Sequence, residues 1–112
     1  MRLALPALLL IVAACGSPSG NDGPTDDASL DQGRRLALAN CAGCHAIDAT
    51  SPSTHAEAPP FRTLSENYEV SNLQEALVEG IVVGHPDMPE FQFEPGEADA
   101  LIAFIESLQT ES

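Results

Sequence analysis

The sequence predicts an all-α chain, and three observations carry that prediction. Apolar residues recur at helical spacing in three stretches, each bounded by glycine, proline or a capping residue. No segment of useful length alternates apolar and polar residues, and no internal repeat is present. The length, 112 residues, allows one domain.

Composition bounds the core. Aromatic residues make up 4 % of the chain and tryptophan is absent. A core of such small side chains is thin, and a buried cofactor would supply apolar surface that they do not.

Residues 1–14 read as a secretory signal outside the fold. Arg2 gives a positive start, Leu3 to Ala14 is apolar, and Val12-Ala13-Ala14-Cys15 ends the run with small residues. The run is too short for a stable membrane-spanning helix. The cysteine at its end resembles a bacterial lipobox, which would make Cys15 the lipidated first residue of the mature chain. Several acyl chains on one residue anchor stably. A plain signal with Cys15 left free is the alternative, although a free thiol is a liability in an oxidising compartment. Residues 15–28 then form the lipidated cysteine and a flexible acidic linker, with no side chain between Gly16 and Ala28 that could build a core. Its thirteen residues span roughly 20 Å as a random coil.

The folded domain is expected over residues 29–112. Its first helix is placed from Ser29, as N-cap, to about Cys41, with Asp31 in the first turn. Leu30, Leu36, Leu38 and Ala39 are its apolar positions. Gly33 lies inside it, where glycine costs about 1 kcal/mol against alanine.

Cys41-Ala42-Gly43-Cys44-His45 follows at once. This C-x-x-C-H spacing is the one by which c-type haem is attached. On a helical turn, two residues between the cysteines match the separation of the two haem vinyl groups, and each thiol can form a thioether. The adjacent histidine then reaches the iron. A redox dithiol, a disulfide or half a zinc site compete for a bare C-x-x-C. A dithiol enzyme would need a βαβ context, which is missing. A zinc site would have to add His55 or His85 to adjacent Cys44 and His45, an awkward set for one tetrahedral ion.

The two methionines are Met1 and Met88. Met88 sits in Gly84-His85-Pro86-Asp87-Met88-Pro89-Glu90-Phe91, where flanking prolines stiffen the chain. It reads either as a gap-filling side chain or as the second axial ligand, a thioether that raises the potential of a histidine-ligated haem. His85 is the alternative ligand in a bis-histidine site, and His55 reads as a solvated loop residue.

Between these motifs, Ala46 to Pro60 is a polar loop. Pro60 to Tyr68 reads as a short helix with Pro60 near N1, and Phe61 and Leu64 facing the core or cofactor. Arg62 and Tyr68 are candidates to bond haem propionates, with plain exposure the alternative. Ser71-Asn72-Leu73-Gln74 suggests a capping box opening a helix that stops at Gly80. Ile81, Val82 and Val83 lead apolar into the Met88 loop. Glu94-Pro95-Gly96-Glu97 opens the last helix, whose Ala98, Leu101, Ile102, Ile105 and Leu108 form one stripe.

A C-x-x-C-H near the start, a Met-Pro loop and a closing amphipathic helix together resemble a class I monohaem cytochrome c, over about residues 29 to 109. The resemblance implies an all-α cytochrome c fold, about four helices wrapped round one covalent haem c, with the N- and C-terminal helices crossing. It implies Cys41 and Cys44 as thioethers and His45 and Met88 as axial ligands. It also implies that Gly33 packs against an aromatic of the last helix, with Phe104 the candidate. A proline carbonyl, Pro59 or Pro60, would accept a hydrogen bond from His45.

Charge points to partners. The formal net charge is −13, from 17 acidic residues and four arginines, with no lysine. Loss of Arg2 with the leader leaves three arginines against those 17, or −14. Nucleic acid and anionic membrane surfaces are disfavoured. Redox partners with basic docking surfaces are expected, although an acidic surface also serves simple solvation. The expected function is a membrane-tethered one-electron carrier in a respiratory or periplasmic redox chain, not an enzyme. The expected form is a monomer, exported across the inner membrane and lipid-anchored on the periplasmic side. The alternative is a haem-based sensor or gas-binding module with a labile Met88.

Overall fold

A computed structural model describes residues 2–4, 6–7, 9–11, 26–80 and 85–109. Cys15, most of the proposed linker and the Ile81 to Val83 run lie outside the described residues. Three α-helices and two 3₁₀ segments build the fold, and no strand occurs among the described residues. Helix α1 is Asp27–Asn40, α2 is Leu73–Glu79 and α3 is Pro95–Leu108; the 3₁₀ segments are Phe61–Glu66 and Val70–Asn72. The all-α expectation holds.

Helix α1 starts earlier than its sequence suggests. Asp26 is the N-cap, and its carboxylate accepts the Ser29 N–H at 2.6 Å. Ser29 is therefore the third helical residue rather than the cap. Both residue types cap well, but the carboxylate also complements the positive helix end, and the helix gains three residues at its start.

The packing seam of α1 also differs. Gly33 and Ala37 are its buried residues, flanked by the half-buried Leu30 and Leu36. Leu38 is 50 % exposed and Ala39 is exposed, so these two expected core positions face outward. The reason is the closeness of α3. A Cβ built on Gly33 would lie inside the carbonyl oxygen of Ala100 and 2.7 Å from the Phe104 Cβ. Only a residue without a side chain permits this crossing, and Phe104 is its partner, as the resemblance implied.

Helix α3 begins at Pro95, with the Glu94 N–H donating to Glu97 Oε1 at 3.1 Å. It is buried over more than one stripe. Ala100, Ala103 and Phe104 join Ala98, Leu101, Ile102 and Ile105 in the interior. Two elements explain this width: α1 packs on one side, and α2 with the 3₁₀ segments on the other. Phe61, Leu64, Val70 and Leu77 complete the core.

The short elements correct two expectations. Residues 61–66 form a 3₁₀ helix with Pro60 as its N-cap rather than N1. Ser71 lies inside the second 3₁₀ segment, and α2 has no side-chain cap at Asn72, so the expected capping box does not form. Gly80 does end α2, at φ 75°, with its N–H on the Ala76 carbonyl. The Phe93 N–H then donates to the Leu77 carbonyl at 2.8 Å and returns the chain to α2 beyond the Met88 turn.

The crossing makes a measurable prediction. Gly33→Ala adds helix propensity worth about 1 kcal/mol, yet should lower stability by about 1–3 kcal/mol through overpacking. Denaturant unfolding of both proteins checks this, and a stabilised variant would contradict the close approach.

Candidate functional site

Helix α1 delivers the C-x-x-C-H motif directly. Cys41 is its C-cap, and the chain continues as a turn in which the Cys44 and His45 N–H groups both donate to the Cys41 carbonyl, at 3.2 and 2.9 Å. The motif is thus a helical turn at the end of a helix locked by the Gly33 crossing. Both thiols are free and partly exposed. Burial pushes the Cys41 thiol up to about 11, so at neutral pH it carries its proton. Among the described residues, no group of three or more His, Cys, Asp or Glu is arranged to hold a metal ion.

His45 is oriented from two sides. Its Nδ1 lies 2.7 Å from the Pro59 carbonyl. A carbonyl oxygen only accepts, so Nδ1 carries the proton and Nε2 presents its lone pair. Sequence left Pro59 and Pro60 open; the structure selects Pro59. The Phe61 ring packs against the imidazole, with centroids 5.4 Å apart. Phe61 is itself fixed, its N–H donating to the Ala46 carbonyl at 2.9 Å. This is the donor set a haem iron needs from its proximal side: one neutral imidazole nitrogen, held by a bond on the other ring nitrogen.

The loop from Ala46 to Pro60 is pinned to the motif. Thr54 Oγ1 donates to the Gly43 carbonyl at 2.6 Å, the His55 N–H to the Cys44 carbonyl at 3.2 Å, and the Ala46 N–H to Ser53 Oγ at 3.0 Å. Asp48 anchors its near end by accepting the Thr50 and Ser51 N–H groups, at 2.9 and 2.6 Å. The Ser51 side chain and these N–H groups hold its carboxyl down at about 2. Arg62 donates to the Ser51 carbonyl at 2.7 Å, which gives this candidate propionate partner a structural role in the same turn. Tyr68 is 56 % exposed.

Met88 is half-buried, in a turn closed by its own N–H on the His85 carbonyl at 3.0 Å. His55 and His85, the two alternative ligands, are engaged elsewhere. His55 Nε2 lies 3.3 Å from Asp87 Oδ2, and His85 Nε2 contacts Glu57 Oε2. His55 is therefore not a free solvated residue. Both nitrogens of each ring are engaged in this arrangement, since each Nδ1 accepts a backbone N–H, from Glu57 for His55 and from Asp87 for His85.

Sequence reasoning missed Gln109. Its side-chain N–H groups donate to the Phe61 carbonyl at 2.6 Å and the Ile105 carbonyl at 2.8 Å, while its oxygen accepts the Ser65 N–H at 2.9 Å. It staples the segment carrying Phe61 to the end of α3. A lone glutamine beyond the last helix carries no periodic signal that could have exposed this.

Comparison with known proteins agrees with the geometry. The sequence model of the Cytochrome c family matches residues 30–109. The chain is similar to a cytochrome c-552 of Bradyrhizobium diazoefficiens, 29 % identical over 109 residues, which cover 97 % of this chain and 99 % of the relative. No solved structure gives a significant match.

Proposed function

Since this chain belongs to the cytochrome c family, monohaem electron carriers with covalently bound haem c, we propose that four of its residues hold the haem. Cys41 and Cys44 would carry it as thioethers, and His45 Nε2 and the Met88 sulfur would be the two side-chain donors to its iron. The observation that carries this reading is the 2.7 Å bond from His45 Nδ1 to the Pro59 carbonyl, which fixes the proton on the inner nitrogen and frees the outer one. The bound group supplies an iron that alternates between ferrous and ferric states. Around it, Pro59 and Phe61 hold the imidazole in one orientation through either state. The neutral Met88 thioether favours the ferrous form and raises the potential. With two side-chain donors held to it, the iron would keep no open place for a substrate, which favours a carrier over an enzyme or a gas sensor.

The carrier is tethered to a membrane on the periplasmic side. Residues 1–14 act as the export signal, Cys15 takes the lipid, and residues 15–28 give the domain reach. In support, Leu3, Leu9, Leu10 and Ile11 are 95, 83, 76 and 82 % exposed, so this apolar stretch has no place in the core. No helix among the described residues is long and apolar enough to cross a membrane. Redox partners with basic docking faces fit a chain without lysine whose Arg35 pairs with Asp31 at 2.9 Å and whose Arg62 is turned into the 48–51 turn.

Four results test these readings. The oxidised protein should show the weak far-red charge-transfer band of methionine sulfur on ferric iron. Met88→His should abolish the band and lower the potential while keeping six-coordination; an unchanged potential would remove Met88 from the ligand set. Cys15→Ser should move the protein from the membrane to the soluble fraction. Electron transfer to a basic redox partner should slow as ionic strength rises from about 0.01 to 0.15 M, as screening shortens the Debye length from about 30 to 8 Å. A salt-independent rate would rule out steering.

A further inference from the structure

The polar contacts around the Met88 turn have an internal symmetry that the ligand set does not use. Two short segments share the pattern His-x-acid: His55-Ala56-Glu57 in the loop after the C-x-x-C-H motif, and His85-Pro86-Asp87 beside Met88. Each closes on itself in the same way. The Glu57 N–H donates to His55 Nδ1 at 3.2 Å, and the Asp87 N–H donates to His85 Nδ1 at 3.1 Å. An accepting Nδ1 has no proton, so both rings carry their proton on Nε2. Each Nε2–H then reaches the acid of the other segment: His55 to Asp87 at 3.3 Å, and His85 to Glu57. The two rings meet edge to face, with centroids 5.7 Å apart.

We propose that His55, Glu57, His85 and Asp87 form a reciprocal clasp that positions the Met88 turn and so sets how readily the sixth iron position opens. The proposal rests on the reading of Met88 as axial ligand. One half of the clasp hangs from the motif itself, through the His55 N–H on the Cys44 carbonyl, and the other half ends one residue before Met88. The histidines are the inner layer, with side chains 31 and 38 % exposed, and the carboxylates are the outer one, at 67 and 64 %. A single contact of this exposure is weak. Two crossed contacts between the same two turns act together, because either one keeps the register in which the other forms. These four are positioning residues: they act by limiting how far the Met88 turn departs from the motif.

The test is carbon monoxide binding to the ferrous holoprotein, read with the far-red band of the ferric form. Carbon monoxide competes with Met88, so its apparent affinity scales with the fraction of molecules whose turn has released the sulfur. The pair His55→Ala with His85→Ala removes both bonds and also leaves His45 as the sole histidine, so no other imidazole can fill the vacated position. This pair should raise carbon monoxide affinity about tenfold and weaken the far-red band. His55→Gln with His85→Gln, whose amides can still donate to the carboxylates, should restore most of the wild-type value. An alanine pair within about twofold of wild type would overturn the clasp, and so would a glutamine pair as loose as the alanine pair, since the rings would then matter as filling only. Should the alanine pair fail to fold, Glu57→Ala with Asp87→Ala removes the same bonds from the exposed side and must give the same rise. A wild-type protein lacking the far-red band would instead sink the ligand reading, and the clasp with it. A wild-type protein with the band but insensitive variants sinks the clasp alone.

Discussion

The contact between the Gly33 backbone and the Ala100 carbonyl is the constraint from which the rest of the structure follows. Because no side chain separates them, α1 and α3 approach more closely than any pair of ordinary residues would allow. That approach fixes the direction of α1, and the C-x-x-C-H turn begins at the residue that caps this helix. The position of His45 is thereby set by a crossing about three turns upstream of it. The same α3 carries Gln109 just past its end, and Gln109 holds the segment with Phe61, whose ring lies against His45. Both faces of the imidazole environment thus trace to one helix.

Around this frame the site uses backbone more than side chains. The Pro59, Cys44, Gly43 and Ala46 carbonyls accept the bonds that shape the proximal loop. Such bonds use main-chain acceptors, and together they hold His45 and the loop around it in one arrangement. Electron transfer is favoured when little has to move.

What could be read from the sequence was what depends on local spacing. The C-x-x-C-H motif, the proline-flanked Met88, the C-cap at Gly80 and the opening of α3 at Pro95 are each decided within a few residues. The start of α1 was misplaced because Asp26 and Ser29 are both good caps three residues apart, and propensity does not rank them. The α1 seam was misjudged because leucine at 38 outweighs glycine and alanine in any hydropathy pattern, whereas the crossing selects for small size. Gln109 and the paired His-x-acid segments join residues about 30 to 48 positions apart, and no periodicity encodes which loop meets which. His55 looked like a solvated residue because its partner, Asp87, belongs to another turn.

The Gly33–Ala100 contact also imposes an order in time. It joins residues near the two ends of the folded domain, so it cannot form until almost the whole chain is available. Synthesis delivers residues 41–45 long before α3. During that interval the two thiols belong to an unclosed chain, and the burial that pushes the Cys41 thiol up to about 11 has not yet been imposed. The Cys41 sulfur therefore has its ordinary reactivity only before the crossing closes. The geometry that later holds the haem in place also sets the deadline for attaching it.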